Sequence, residues 1–208
     1  MVSLPRLVDY TNEYLGVNQF KDYCPNGLQV EGRAEVKHLI SGVTASQALL
    51  DRAIEQGADA ILVHHGYFWR GEPAEVVGMK KRRLAALLRA DVSLLAYHLP
   101  LDAHPEVGNN ACLAGLLDIE VVGDLNDSGV GNYGRLSPAL TQNQLRHRLE
   151  GVLGRQVLHV GKGPELIERI GWCTGGAQGY IEQAIALGLD AFISGEISEQ
   201  TTHVAEEC

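Results

Sequence analysis

Short apolar segments alternate with helical ones along most of this chain, and that alternation restricts its fold more than any other feature. Strand-like runs at His38–Val43, Ala60–Val63 and Val92–Tyr97 are separated by helical spacing at Ser46–Gln56 and Arg82–Ala90. A helix between successive strands is typical of βαβ units, in which the strands are parallel. The sequence therefore predicts an α/β protein with mainly parallel or mixed sheets.

The second half of the chain repeats a segment of the first half. Placing Ala53 on Ala184 superposes identical residues at five further positions: Gln47 on Gln178, Ile54 on Ile185, Gly57 on Gly188, Asp59 on Asp190 and Ala60 on Ala191. The match indicates either an internal duplication or a helix-Gly-x-Asp-Ala-strand pattern that many βαβ units share. Under a duplication, His65 corresponds to Glu196, and both follow strands at the edge where open α/β sheets bind ligands.

A change of composition to Gly, Asn, Asp and Ser at Gly123–Gly134 separates the two halves. We therefore expect two pseudo-repeated α/β lobes, a first at residues 1–124 and a second at residues 125–208. The remaining predicted segments are a polar loop at Tyr23–Gly32, helices at Leu4–Gly16, Asn110–Leu117 (capped by Asn109), Gln142–Leu153 and Tyr180–Leu187, and strands near Val157–Val160, Ile170–Thr174 and Ala191–Ser194.

The charge and cysteine content exclude several classes of partner. The net charge is −9, from 17 Lys and Arg against 26 Asp and Glu, which argues against nucleic acid and anionic membranes. Arg6, Asp9 and Glu13 interrupt the N-terminal apolar pattern, and no stretch reaches membrane-spanning length, so neither a signal peptide nor a membrane span is expected. The four scattered cysteines are typical of reduced thiols in a cytoplasmic protein.

Two adjacent histidines follow a buried strand in Val63-His64-His65-Gly66. Neighbouring side chains within a regular strand point to opposite faces, so such a pair cannot hold one ion from inside it. At a strand end this constraint lifts, and the two imidazoles can bind one metal each or reach a single ion through the turn. The alternative is that both are incidental, with one histidine buried and hydrogen-bonded.

A second pair of polar side chains strengthens the metal interpretation. His98 and Asp102 follow the next apolar strand, which places an imidazole and a carboxylate near the adjacent rim of the predicted sheet. Imidazole with carboxylate is the ligand set of open Zn, Mn or Fe sites, and one Asp can bridge two ions about 3.5–4 Å apart. The sequence therefore predicts a metal centre built on His64, His65 and Asp102, with His98 as a further candidate ligand.

Features in the second half carry weaker signals. Thr174–Gly179 follows a strand and opens a helix, so its backbone N–H groups either cradle an anion or form a plain tight turn. Glu196 follows the repeat-equivalent strand, while Glu199 and His203 stand four residues apart and would share one helix face. Glu196 and His203 are candidate ligands, and solvent-exposed helix polarity is the alternative.

Several segments together resemble the NIF-three-like family, also called GTP cyclohydrolase I type 2 homologues, in its short bacterial form. The matching segments are Tyr23-Cys24-Pro25-Asn26-Gly27-Leu28-Gln29-Val30, Gly42-Val43-Thr44-Ala45-Ser46, Val63-His64-His65-Gly66-Tyr67-Phe68-Trp69, Tyr97-His98-Leu99-Pro100-Leu101-Asp102, Gly108-Asn109-Asn110 and Ile193-Ser194-Gly195-Glu196. They run nearly from end to end of the chain, and their combination is highly specific.

The resemblance implies a homohexamer of two-lobed subunits, each with two divalent metal ions in the cleft between its lobes. It also implies that His64, His65 and Asp102 are metal ligands. The family's last ligand segment, Gly-His-x-x-Thr-Glu, does not occur before Cys208, so we expect a C-terminally truncated form that binds metal weakly or holds one ion. The ligand types do not distinguish Zn, Mn, Fe and Mg.

Two functions remain open at this stage. The first is a metal-dependent hydrolase acting on a small molecule, such as a GTP cyclohydrolase-like opening of a purine ring, because a Lewis acid polarises the reacting carbon and makes water a nucleophile near neutral pH. Glu196 or His98 would then move protons. The second is a non-catalytic, metal-binding oligomeric adaptor or metal-handling protein.

Overall fold

The computed structural model describes residues 1–208 and divides into two compact units, Met1–Leu101 and Asp102–Cys208. This division lies earlier in the chain than residue 124, where the sequence analysis placed the lobe boundary. Residue 124 is the last residue of the strand Ile119–Asp124. That strand is paired with Asn132–Thr141, so the Gly- and Asn-rich segment between them is a hairpin connection within the second unit.

The first unit is a four-stranded mixed sheet with helices and a small separate strand pair. Its strands are β1 (Val2–Ser3), β2 (Gly27–Val30), β3 (Glu35–Val36), β4 (Leu39–Thr44), β5 (Ala60–His65) and β6 (Ser93–Ala96), and its helices are α1 (Leu4–Tyr14), α2 (Gln47–Glu55), α3 (Gly78–Ala90) and α4 (Leu99–Ala103), the last of which crosses into the second unit. The sheet order is β2-β6-β5-β4. Strands β4, β5 and β6 are parallel, and β2 is antiparallel to β6.

Local chemistry explains why α2 connects β4 to β5. The Ser46 side chain accepts a hydrogen bond from the backbone N–H of Leu49 and caps the first turn. After the helix, Gly57 adopts a φ of +73°, which lets the chain turn back towards β5. Leu50 and Ala53 are buried against the sheet side of the helix, in the same apolar cluster as Ile61 of β5. Their burial anchors the strand that ends in the paired histidines.

The second unit contains a four-stranded sheet that is mainly antiparallel. Its strands are β7 (Ile119–Asp124), β8 (Asn132–Thr141), β9 (Leu166–Cys173) and β10 (Ala191–Ser194), and its helices are α5 (Asn109–Leu116), α6 (Gln142–Leu153), α7 (Ile181–Ala186) and α8 (Glu199–Glu207). The sheet order is β10-β9-β8-β7, with β9 and β10 parallel. Its core surrounds Trp172, which is fully buried and donates from Nε1 to the carbonyl of Asn110.

Helix α6 forms as its sequence predicts. Thr141 and Gln144 form a reciprocal capping box at its start, and Gly154 ends it with a φ of +63°. Leu145 and Leu149 lie one turn apart and are both buried.

The mixed α/β fold class predicted from the sequence is confirmed. Parallel strand pairs occur in both units, and the second unit has more antiparallel pairing than the helix–strand alternation indicated.

Four local predictions are wrong. The polar loop Tyr23–Gly32 contains β2, whose pairing with β6 is a long-range contact that its own turn residues conceal. Val157–Val160 is not a strand, because the Val157 N–H donates to the Glu150 side chain rather than to a neighbouring strand. Helix α3 begins at Gly78 instead of Arg82, and α5 is capped by Gly108 instead of Asn109.

No helix in the structure combines the length and apolar character that a membrane-crossing segment requires.

Candidate metal centre

Three imidazoles meet at the carboxyl edge of the sheet in the first unit. His64 and His65 are the last residues of β5, and His98 follows the neighbouring parallel strand β6. Parallel strands present their carboxyl ends at the same edge of a sheet, so these side chains converge. The nitrogen atoms through which the three residues could bind a metal all lie within 4.8 Å of one another.

The strand does not separate the paired histidines, although β5 continues through both of them. Their ring centroids are 4.4 Å apart and their planes are tilted by 49°. The His98 ring centroid lies 5.1 Å from that of His64 and 5.8 Å from that of His65. Gly66 ends the strand where the chain passes very close to its neighbours, because a Cβ there would lie 2.2 Å from Gln29 Oε1.

Hydrogen bonds at Nδ1 orient the imidazoles. His64 Nδ1 lies 3.0 Å from the carbonyl oxygen of Tyr97, and His98 Nδ1 lies 2.7 Å from Asp22 Oδ1. Both partners can only accept, so they assign the proton to Nδ1 and make Nε2 the nitrogen that can bind a cation. His65 Nδ1 lies 3.2 Å from the hydroxyl of Thr44. Metal-ligating histidines usually have such a second partner on the other ring nitrogen.

Asp22 is the acidic residue of this network, and the sequence analysis did not single it out. Its side chain is 2% exposed, and it accepts hydrogen bonds from both side chains and backbone N–H groups around it. Burial alone would raise the pKa of the Asp22 carboxyl, but hydrogen bonds from His98, Asn26, Leu99 and Tyr23 outweigh burial and lower that pKa to about 2. Asp22 is therefore ionised throughout the neutral range.

Cys24 lies beside the same pair and forms a second group with Asp22 and His98 whose ligand atoms are within 4.8 Å of one another. Burial, together with the negative charge of Asp22, raises the pKa of the Cys24 thiol to about 12. The thiol is therefore protonated at neutral pH and is a poor ligand in that form. The three-imidazole group is the better candidate for a cation.

An aromatic side chain flanks the imidazoles on one side. The Trp69 ring meets the His98 ring edge to face at a centroid distance of 5.0 Å, and lies 6.0 Å from the His65 ring. Its Nε1 donates to the carbonyl of Gly66 at 3.2 Å, which holds the indole in place. Next along the chain, the Arg70 guanidinium donates to the carbonyl of Asp22 at 2.9 Å. Trp69 and Arg70 were not identified as site residues from the sequence.

The remaining predicted site residues lie in the second unit. Asp102 is 7% exposed, and its Oδ1 accepts hydrogen bonds from Asn109 Nδ2 at 2.8 Å and Thr174 Oγ1 at 3.5 Å. Glu196 is exposed in the turn after β10, and His203 is exposed on α8, which also carries Glu199. The site roles predicted for Asp102, Glu196 and His203 stay predictions.

The fold and the imidazole group define a mixed α/β protein with a candidate metal centre at the carboxyl edge of a parallel strand pair. A family model described as Duf34/NIF3 (NGG1p interacting factor 3) matches residues 2–208. The chain belongs to this family, which confirms the resemblance drawn from its sequence.

Curated relatives and solved structures agree with this assignment. Proteins named GTP cyclohydrolase 1 type 2 homolog are 57% identical in Yersinia pestis, over 94% of this chain and 79% of the relative, and 56% identical in Pseudomonas aeruginosa, over 99% and 82%. A solved structure of protein ybgI, of unknown function, matches with a TM-score of 0.95 and 50% identity over 98% of this chain and 82% of its own. One from Thermus thermophilus matches with a TM-score of 0.88 and 36% identity, over 98% and 81%.

Proposed function

We propose that this protein is a divalent-metal-dependent hydrolase whose metal centre includes His64 and His65. The observation that carries the proposal is the convergence of three imidazoles whose ligand nitrogens lie within 4.8 Å of one another. The name of its relatives, GTP cyclohydrolase 1 type 2 homolog, supports hydrolysis of a small molecule. From the family resemblance we add Asp102 as a ligand, a hexameric assembly and a cytoplasmic location. The resemblance implies two ions per subunit in the intact family, and for this chain we propose weak binding or a single ion.

The residues present fit a first-row divalent cation. Imidazole nitrogen suits Zn and Fe better than it suits Mg, and neutral histidines with a second hydrogen-bond partner are typical ligands of such ions. A cation held here would supply Lewis acidity, which polarises a carbonyl or ring carbon and lowers the pKa of water. His64 and His98, each protonated at Nδ1, would offer Nε2 to the cation.

The other side chains at this edge have roles around the imidazoles. His98 either completes the nitrogen set or exchanges a proton with the reacting group, and Glu196 is the second candidate for proton exchange. Trp69 covers one side of His98 and so limits the access of water from that side. A His98→Ala variant that retains the wild-type metal content but loses turnover would assign His98 to proton exchange, and one that loses metal would assign it to ligation.

Metal content and turnover measured together test the hydrolase. We expect the purified protein to retain Zn, Fe or Mn in elemental analysis and to hydrolyse at least one member of a panel of GTP, phosphoesters and cyclic amides. His65→Ala should lose both properties, while His147→Ala, at an exposed histidine of α6, should retain them. Turnover by a folded His65→Ala variant at the wild-type rate would remove the proposal.

A non-catalytic role is the second candidate, because the family description names an interacting factor. In that case the metal would organise an oligomeric adaptor. Light scattering that shows a stable hexamer, with no turnover of any panel member under any of the four metals Zn, Mn, Fe and Mg, would favour the adaptor over the hydrolase.

A further inference from the structure

We infer that Asp22 is a positioning residue, which fixes the tautomer and the direction of the His98 imidazole at the candidate metal centre. Asp22 lies in the connection between α1 and β2, 76 residues along the chain from His98, which follows β6. Its consequence for metal binding rests on the proposed function, whereas its effect on the His98 tautomer does not.

All acceptor positions of the Asp22 carboxylate are occupied within the protein. Oδ1 accepts from His98 Nδ1 at 2.7 Å and from the Tyr23 N–H at 2.5 Å. Oδ2 accepts from Asn26 Nδ2 and from the Leu99 N–H, both at 2.9 Å. A carboxylate offers about four lone-pair positions, so Asp22 has none left for a cation. Asp22 therefore acts through His98 and is not itself a ligand.

The same short loop also holds the backbone next to the imidazole. Asn26 Oδ1 accepts the His98 N–H at 2.7 Å, and Asp22 binds the following N–H of Leu99. The His98 residue is thus held both at its main chain and at ring atom Nδ1. With these points fixed, the rotation of the ring is set, and because Nδ1 is bonded to Asp22, Nε2 is the nitrogen that His98 can offer to a cation in its group with His64 and His65.

The chemical nature of the Nδ1 partner gives His98 a distinct property. His64 Nδ1 pairs with a neutral carbonyl and His65 Nδ1 with a hydroxyl, whereas His98 Nδ1 pairs with a buried anion. A carboxylate on Nδ1 raises the basicity of Nε2 and locks the tautomer that exposes its lone pair. Loss of such a partner typically costs about 10–100-fold in metal affinity.

Asp22→Asn tests the inference, with Asp59→Asn as the matched control. Asp59 is also a buried carboxylate of the first unit. Its Oδ1 accepts from Arg33 Nη1 at 2.8 Å, and its Oδ2 accepts the N–H groups of Lys37 at 2.7 Å and His38 at 2.9 Å. In Asp22→Asn an amide NH2 can face His98 Nδ1, which then accepts and moves the ring proton to Nε2. Asp59→Asn leaves this partner unchanged.

The first readout is the ¹⁵N NMR spectrum of the metal-free protein, with the His98 signals assigned from a His98→Gln spectrum. We expect the Nδ1–H tautomer of His98 in the wild type and in Asp59→Asn, and a shift towards Nε2–H in Asp22→Asn. The second readout is affinity for Zn, which should fall by about 10–100-fold in Asp22→Asn and by less than about twofold in Asp59→Asn.

Three results would overturn the inference. They are an unchanged His98 tautomer in Asp22→Asn, an equal loss of Zn affinity in both variants, or an Nε2–H tautomer in the wild type, which decides the question even where Asp22→Asn fails to fold. A wild-type protein that binds no metal would remove the proposed function but would leave the tautomer test valid.

Discussion

The β4-α2-β5 segment of the first unit and the β9-α7-β10 segment of the second unit have the same local construction. Gly57 and Gly188 both end the helix with positive φ, at +73° and +63°. Each donates its N–H three residues back, to Ile54 at 2.9 Å and to Ile185 at 2.8 Å. The identities seen in the sequence therefore correspond to matching hydrogen bonds in the two segments.

The aspartates that follow these glycines also match. Each carboxylate accepts two consecutive backbone N–H groups just before the parallel pairing of the two strands begins, those of Lys37 and His38 for Asp59 and those of Glu168 and Arg169 for Asp190. In both segments the aspartate therefore links the two strands at the point where their pairing begins. This construction explains why the Gly-x-Asp-Ala pattern recurs.

The two segments differ at the opposite end of their second strand. β5 ends in His64 and His65 and has β6 beside it, which contributes His98. β10 is an edge strand with β9 as its single neighbour, and it is followed by Gly195 and Glu196. The same scaffold therefore supports a cluster of imidazoles only where a third parallel strand contributes a side chain.

The largest expected effect is on metal retention at these two strand ends. His64→Ala should lower metal affinity by more than the about 10–100-fold typical for loss of an indirect partner. Glu196→Ala, at the equivalent strand end, should retain more metal than His64→Ala. Elemental analysis of both variants, purified side by side, checks this order. Equal metal loss in the two variants would show that both strand ends contribute equally to metal binding, and would contradict the difference inferred between them.

A smaller effect is expected at the glycines that end the two helices. Ala at a positive φ is strained by about 1–2 kcal/mol, and the space for a Cβ is open at Gly57 and in ordinary contact, 3.6 Å from Arg169 Nη1, at Gly188. Gly57→Ala and Gly188→Ala should therefore lower the free energy of unfolding by similar amounts, measured in denaturant.

Gly151 is the control for these glycines, because it lies inside α6 in open space. Gly151→Ala should raise the free energy of unfolding by about 0.5–1 kcal/mol, since Ala is the better helix former. A loss of stability at only one of the two helix ends would show that the segments are equivalent in geometry but not in energy.

Elements defined by local signals could be predicted from the sequence, and those defined by distant partners could not. Helix α6 has its capping residues and its glycine stop within the segment itself, and its predicted limits match the structure. Strand β2 forms by pairing with the distant strand β6, which no local pattern shows. The turn residues Pro25 and Asn26 directly before it indicated a loop instead. Val157–Val160 has a strand-like pattern but no neighbouring strand to pair with.

The candidate site shows the same division. His64 and His65 could be identified because an adjacent pair after an apolar strand is visible in the sequence, and His98 because it follows the next strand. Asp22 could not, since it is one acidic residue in a polar loop and its partner His98 is 76 residues away along the chain. No spacing rule connects a loop carboxylate to a strand end at that separation.

The smallest expected effect concerns the pH dependence of stability at Asp59. Hydrogen bonds from the N–H groups of Lys37 and His38, with the nearby Arg33 guanidinium, hold the pKa of the Asp59 carboxyl below its ordinary value. A carboxyl with a lowered pKa in the folded state contributes stability above its unfolded pKa of about 3.9, and this contribution is lost as the pH falls through the folded pKa. Asp59→Asn should therefore be less stable than the wild type at pH 7, and the difference should shrink in thermal melts taken below about pH 4. A stability difference between Asp59→Asn and the wild type that stays constant down to about pH 2 would contradict this prediction. It would mean that the charge of the Asp59 carboxylate does not contribute to stability.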